Sequence, residues 1–130
     1  MAKTDSVSIQ MKEILDKYGR DARQAIDASA KETADMCVQQ LKNTSPKRSK
    51  GGGAYARSWT VKAERHGELT DYIVHNSKHY QLTHLLENGH VIRNKKGTYG
   101  RTRPIKHIAP AEEAGIQRFD LGVRARLKGL

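Results

Sequence analysis

Four side chains that could bind a metal ion or move a proton fall within twelve positions: His79, His84, Glu87 and His90. A zinc-binding helix sets two histidines four apart with a glutamate between them, which puts both imidazoles on one face. Here successive histidines are five and six apart. On a helix His79 and His84 diverge; only His84 and Glu87 share a face, and no third ligand is assigned. The spacing predicts no metal site. A second candidate is the run Lys47, Arg48, Ser49, Lys50 followed by Gly51, Gly52 and Gly53. A phosphate-cradling loop needs Gly, four residues, then Gly-Lys-Ser/Thr between a strand and a helix. Here the lysine precedes the glycines and no helix clearly follows, so nucleotide binding is not expected. No Ser/His/Asp or Cys/His arrangement can be identified by spacing. The expectation is a protein with no catalytic residue, no metal and no cofactor, and not an enzyme.

The cations carry more information. Lysine plus arginine number 24 against 14 carboxylates, for a net charge of +10. Residues 42–65 are net +6, and residues 91–106 are net +6 with no acid, so two segments exceed the excess of the whole chain. Such clustering points to a polyanion, and DNA is the obvious one. The candidate contacts are Lys47, Arg48, Lys50 and Arg57 in the first segment, and Arg93, Lys95, Lys96, Arg101 and Arg103 in the second. The competing explanation is a surface kept soluble by its charge. A basic nucleic-acid-binding or nuclease-like protein, such as a small ribonuclease, is the alternative function.

These residues need elements to position them. Ile14, Tyr18, Ala22, Ala25, Ser29, Thr33, Met36 and Cys37 recur at three- and four-residue steps, which predicts helix over 6–42, unbroken or joined at Gly19. Ser6 is its expected N-cap, and it must stop before Pro46. Residues 43–53 read as a flexible basic Gly-rich loop. Strands are expected over 54–65, carrying Trp59 and Val61, and over 68–76, with a turn at Gly67. Residues 78–88 return to helical spacing, and Gly89 is a natural C-cap, expected in the left-handed conformation. Glu87, Gly89 and His90 then form a turn expected to face a neighbouring subunit. Residues 90–106 read as an exposed basic hairpin or loop. A short strand over 105–109 and a last helix opening near Pro110 complete an α+β domain with a small antiparallel sheet. Trp59, Tyr72, Val74, Leu85, Leu86, Ile108 and Phe119 are the expected core.

A length of 130 residues suits one domain. The lone Cys37 excludes an intrachain disulfide, as suits synthesis in a reducing cytoplasm. No apolar run approaches the roughly 20 residues of a membrane span, and the N-terminus has no signal-peptide core.

Three phrases in order resemble one family. TSPKRSKGGGAYARSW resembles the loop of phage tail-completion and neck proteins that runs Thr-Gly-Xaa-Leu-Arg-Xaa-Ser. Gly53, Ala54, Arg57, Ser58 and Trp59 match it, with Tyr55 where leucine is common. YIVHNSKHYQLTHLLENGH resembles the family's strand followed by Tyr, paired hydrophobics, Glu-Xaa-Gly and Thr or His. The matches are Tyr72, Val74, Asn76, Tyr80, Leu85, Leu86, Glu87, Gly89 and His90. IKHIAPAEEAGIQRF resembles its closing helix start through His107, Ile108, Pro110 and Ala111. The family is the head–tail joining proteins, the lambdoid gene-ten-like tail components. The triple glycine and the basic segment 91–106 are departures that the family does not require. The resemblance implies a virion protein at the neck or tail end, assembled as a homo-oligomeric ring and expected to be a hexamer. Its partners would be the connector or head-completion protein and the tail tube or tail terminator, with non-specific contact to genomic DNA and none to membrane.

Overall fold

No proline occurs before Pro46, and Gly19 alone does not interrupt the helix. In the computed structural model, which describes residues 2–47 and 52–130, α1 runs unbroken over Ala2–Thr44. At 1.5 Å per residue it is about 65 Å long. It starts earlier than expected, so Ser6 lies inside it rather than at its cap. Past Thr44 the Ser45 amide still bonds to Leu41 O (2.9 Å) before Pro46 ends the run.

Residues 54–57, expected to begin a strand, instead form a single helical turn, α2 (Ala54–Arg57). Gly53 precedes it at φ 104°, and the turn buries Tyr55 and Ala56. The Ser58 hydroxyl donates to Ala54 O (2.6 Å) and closes the turn. Strands β1 (Trp59–His66) and β2 (Leu69–Asn76) then pair antiparallel, in register from Trp59–Asn76 to His66–Leu69. Gly67, at φ 63°, supplies the reversal. Helix α3 (Gln81–Asn88) follows, then a second hairpin, β3 (Val91–Asn94) and β4 (Gly97–Arg101), and last α4 (Ile108–Lys128). The two hairpins form separate two-stranded sheets. The expected strand over 105–109 does not form. Residues 102–106 pair with no strand, and the chain enters α4 at Ile108.

The second half of α1 is held between the first hairpin and α4. Val38, Leu41, Tyr55, Trp59 and Ala111 form the buried cluster, with Val61, Val74, Leu86 and Ile108 against it. The Trp59 indole N–H donates to the Ser45 hydroxyl at 2.8 Å. Three expected core residues lie elsewhere. Phe119 and Leu85 are exposed. Tyr72 is half-buried, and its hydroxyl donates to Asp27 (2.9 Å) on α1. Phe119 is displaced because α4 meets α1 through small residues. A Cβ at Gly115 would stand 2.8 Å from Cys37 Sγ, and one at Gly122 would stand 3.3 Å from Ser29 Oγ. Ser29 and Ala25 are buried there, and Arg126 reaches Ser29 Oγ (2.8 Å) and Glu32 (2.6 Å). Beyond the end of α4, every α1 residue from Ser6 to Tyr18 is exposed.

Candidate functional site

His107 is the N-cap residue of α4, and its side chain makes no capping hydrogen bond. The first amides of the helix would be unsatisfied without an acceptor from elsewhere. Glu87, at the end of α3, supplies it. Glu87 Oε1 accepts from the amides of His107 and Ile108 (2.8 Å each), and Oε2 from Ala109 (3.1 Å). The carboxylate sits at the positive end of the helix. Its environment works in two directions. Burial pushes the Glu87 carboxyl up, but the three amide hydrogen bonds and His107 outweigh it and hold it below the ordinary value.

His107, fully buried, joins this cap to the core. Its Nδ1 lies 2.7 Å from Ile105 O and 3.2 Å from Glu87 Oε1. Both are acceptors only, so Nδ1 carries the proton and, in the neutral ring, Nε2 accepts from the Tyr55 hydroxyl at 2.8 Å. Burial and the Glu87 charge push the Tyr55 phenol up to about 12. A phenol so hard to ionise is a poor nucleophile or base near neutral pH. Among the described residues every buried side-chain polar atom has a partner. The chain Tyr55–His107–Glu87 therefore serves as a polar joint that locks α2, α3 and α4 together.

The second hairpin stands on this joint. Gly89 leaves α3 at φ 73° and ψ 166°. Its φ is positive as expected, but its ψ is extended rather than left-handed helical. A Cβ there would stand 2.5 Å from Thr102 O. The Thr102 amide donates to His90 O (2.8 Å), and the His90 amide donates to Thr102 Oγ1 (2.9 Å), which tie the two strands at their base. From Ile92 to Arg101 every residue is exposed. Arg93, Lys95, Lys96 and Arg101 thus stand on a hairpin with almost no core contact, and Arg103 is exposed just beyond it. The Lys96 amide donates to Asn94 Oδ1 (2.7 Å), which shapes the tip.

The first basic segment approaches the foot of this hairpin. A groove of about 560 Å³ is lined by Pro46, Lys47, Gly53 and Tyr55 from one side of the sequence and by Leu82, Leu86 and His90 from the other. Lys47 and Arg57 are exposed, and the Arg57 guanidinium folds back over Gly53. Arg48 and Lys50 lie outside the described residues. The carboxylate of Glu87 is turned inward onto α4, so His90, half-buried on the groove wall, is what the turn offers to the surface. Among the described residues no three His, Cys, Asp or Glu side chains converge where a metal ion could sit, and no helix is long and apolar enough to cross a membrane.

The joint was not anticipated from the residues. One signal pointed to it: α4 opens Lys-His-Ile-Ala-Pro, with no Ser, Thr, Asp or Asn to cap it. A missing local cap implies a distant one, and the polar joint supplies it. Asn76 was likewise seen only as part of a phrase. It is buried, donates to Tyr55 O (2.8 Å) and accepts from the His79 amide (2.8 Å), which pins β2 and the start of α3 to α2.

No curated protein and no solved structure matches the chain. The family model HK97-gp10-like, the bacteriophage HK97 gp10 tail component, matches residues 9–89. That stretch runs from the free end of α1 through the first hairpin to the Gly89 turn, well over half the chain. The chain belongs to the HK97-gp10-like family of bacteriophage tail components.

Proposed function

We propose that this protein assembles as a homo-oligomeric ring, a hexamer, at the head–tail neck or the tail end, where it joins or completes the tail without catalysing a reaction. Its neighbours in the virion are then the connector or head-completion protein on one side and the tail tube or tail terminator on the other. The observation that carries this reading is the surface of the single subunit. Val7, Met11, Ile14, Leu15 and Tyr18 on α1 are each more than half exposed, and Ile116 on α4 is 64% exposed. Apolar side chains exposed in this way along one stretch of α1 mark a protein-binding face. Negative-stain microscopy of the purified protein tests the ring directly, and terminal labelling of virions tests its location. Rings, with label at the neck or tail end, are expected. Label on the fibre tips, or none on virions, overturns the reading.

Within that ring, the cations of the second hairpin, with Lys47, Arg48, Lys50 and Arg57 of the first segment, face genomic DNA or an acidic neighbouring ring. Support comes from the exposure of the hairpin and from six cations over residues 91–106 with no acid among them. Phosphate contacts of this type carry no sequence information and weaken steeply with salt. Replacing Arg93, Lys95, Lys96, Arg101 and Arg103 with serine separates the two partners. Assembled particles that leak DNA indicate the DNA contact, and failed joining indicates the protein partner. Unchanged assembly and genome retention overturn both. The turn carrying Glu87, Gly89 and His90 lies at the interface with the next subunit in this arrangement.

A further inference from the structure

The two faces of the second hairpin are unlike. Opposed residues of paired strands share a face, and neighbours along a strand alternate. Val91 opposes Arg101 and Arg93 opposes Thr98, with a shift of register between the two pairs. Tyr99 and Gly100 therefore both oppose Ile92, a bulge that Gly100 accommodates at φ 105°. Strict alternation from Thr98 would send Arg101 to the face opposite Arg93. The extra residue brings the two arginines to the same side. That face exposes Arg93, Thr98 and Arg101, with Val91 half-buried at its base. Ile92 and Tyr99, both exposed, lie on the other face. No acid occurs between Glu87 and Glu112, and Glu87 is turned inward onto α4. Among the described residues none of the six cations over 91–106 belongs to an ion pair.

We propose that this arginine face binds the phosphate backbone of duplex DNA without reading its sequence. It rests on the role of the hairpin given above and names DNA, rather than an acidic neighbour, as the partner. A protein interface is built around apolar side chains with charge toward its rim. Here the large exposed apolar side chains lie on the opposite face. Phosphate contacts need only well-placed donors, and the arginine fork suits them. Arg101 uses one of its donors on Gly89 O at 3.5 Å, which holds it beside the base of the hairpin. Diagonal positions of a two-stranded sheet lie roughly 7–8 Å apart, so Arg93 and Arg101 can take separate phosphates. Lys95 and Lys96 carry the same charge outward to the tip. A two-stranded ribbon is also narrow enough to enter the major groove, which is about 12 Å wide.

Fluorescence anisotropy of a labelled DNA duplex of arbitrary sequence, titrated with the full chain from about 50 to about 200 mM salt, tests this. The logarithm of affinity falls with that of salt by about 0.9 per phosphate contact. Arg93→Ser with Arg101→Ser should therefore flatten the slope by about 1.8, so that the parent loses roughly tenfold more affinity than the variant over this range. Tyr99→Ser, on the other face, should bind like the parent. So should Lys12→Ser with Lys17→Ser, which removes the same charge from the exposed end of α1. An unchanged slope in the arginine variant overturns the proposal, as does an equal change in either of the other two. A parent chain that binds labelled polyglutamate but not the duplex assigns the hairpin to an acidic protein and overturns it too, as does binding to neither. None of these outcomes bears on the ring, which negative-stain microscopy reports separately.

Discussion

The two halves of α1 share one helical repeat and have opposite surfaces. The half that packs inside the subunit is built on Ala25, Ser29, Ala34, Val38 and Leu41, all under 8% exposed. The free half carries Ile14 at 67% and Leu15 at 66% exposure. Facing α4 the buried residues are small, Ala25, Ser29 and Ala34, while Val38 and Leu41 enter the core cluster; the free half instead leaves its large apolar residues exposed. The packed half needs small residues because α4 approaches closely enough that Gly115 and Gly122 have no room for a side chain. Among the described residues the free half has no such neighbour, and its larger side chains stay exposed. Helical periodicity says which residues share a face; it does not say whether the face meets its own subunit or another.

Substitutions on the two sides should separate by size of effect. Trp59→Ala, at the centre of the packed side, is expected to lower subunit stability by about 3–5 kcal/mol, measured by denaturant unfolding. A loss near zero would mean that Trp59 does not anchor the packed half. Next comes Glu87→Gln, which removes the charge that caps α4 and should cost on the order of 3 kcal/mol near neutral pH. The sign with pH follows from the lowered Glu87 carboxyl. Its contribution is complete above the ordinary value of 4.5 and lost as pH falls through the lower folded value. The variant should therefore show a flatter acid limb than the parent, and identical limbs would remove the cap argument.

Gly89→Ala should cost about 2 kcal/mol, because positive φ and the approach to Thr102 O both disfavour a side chain. Parent-like melting would show that the turn can relax. Gly115→Ala should cost about 1–2 kcal/mol by forcing Cys37 away from α4; an unchanged melt would show the helix crossing to be looser than its geometry. Smallest of all, Ile14→Ala on the free half should change unfolding of the dissociated subunit by under about 0.5 kcal/mol. A loss comparable to that of Trp59→Ala would erase the distinction between the halves.

Much of the architecture was legible in the residues. Three- and four-residue steps marked α1 and α3, Gly67 marked the first hairpin, and the missing acids of 91–106 marked an exposed segment. Misreadings arose where a long-range contact overruled a local pattern. Ala54–Arg57 reads as strand, yet burial of Tyr55 beside His107 bends it into a helical turn. Phe119 reads as core by its size, yet the close crossing at Gly115 and Gly122 turns it outward.

The site divides in the same way. Local sequence determined where the cations cluster, that the chain is α+β and where its helices run, because charge density and periodicity are properties of neighbours along the chain. Only the tertiary structure decided that Glu87 caps a helix twenty residues away, and that Lys47 and His90 line one groove. It alone left Val7, Met11, Ile14 and Tyr18 exposed. Those outcomes depend on which elements meet and where each one ends, and spacing along one segment carries no information about either.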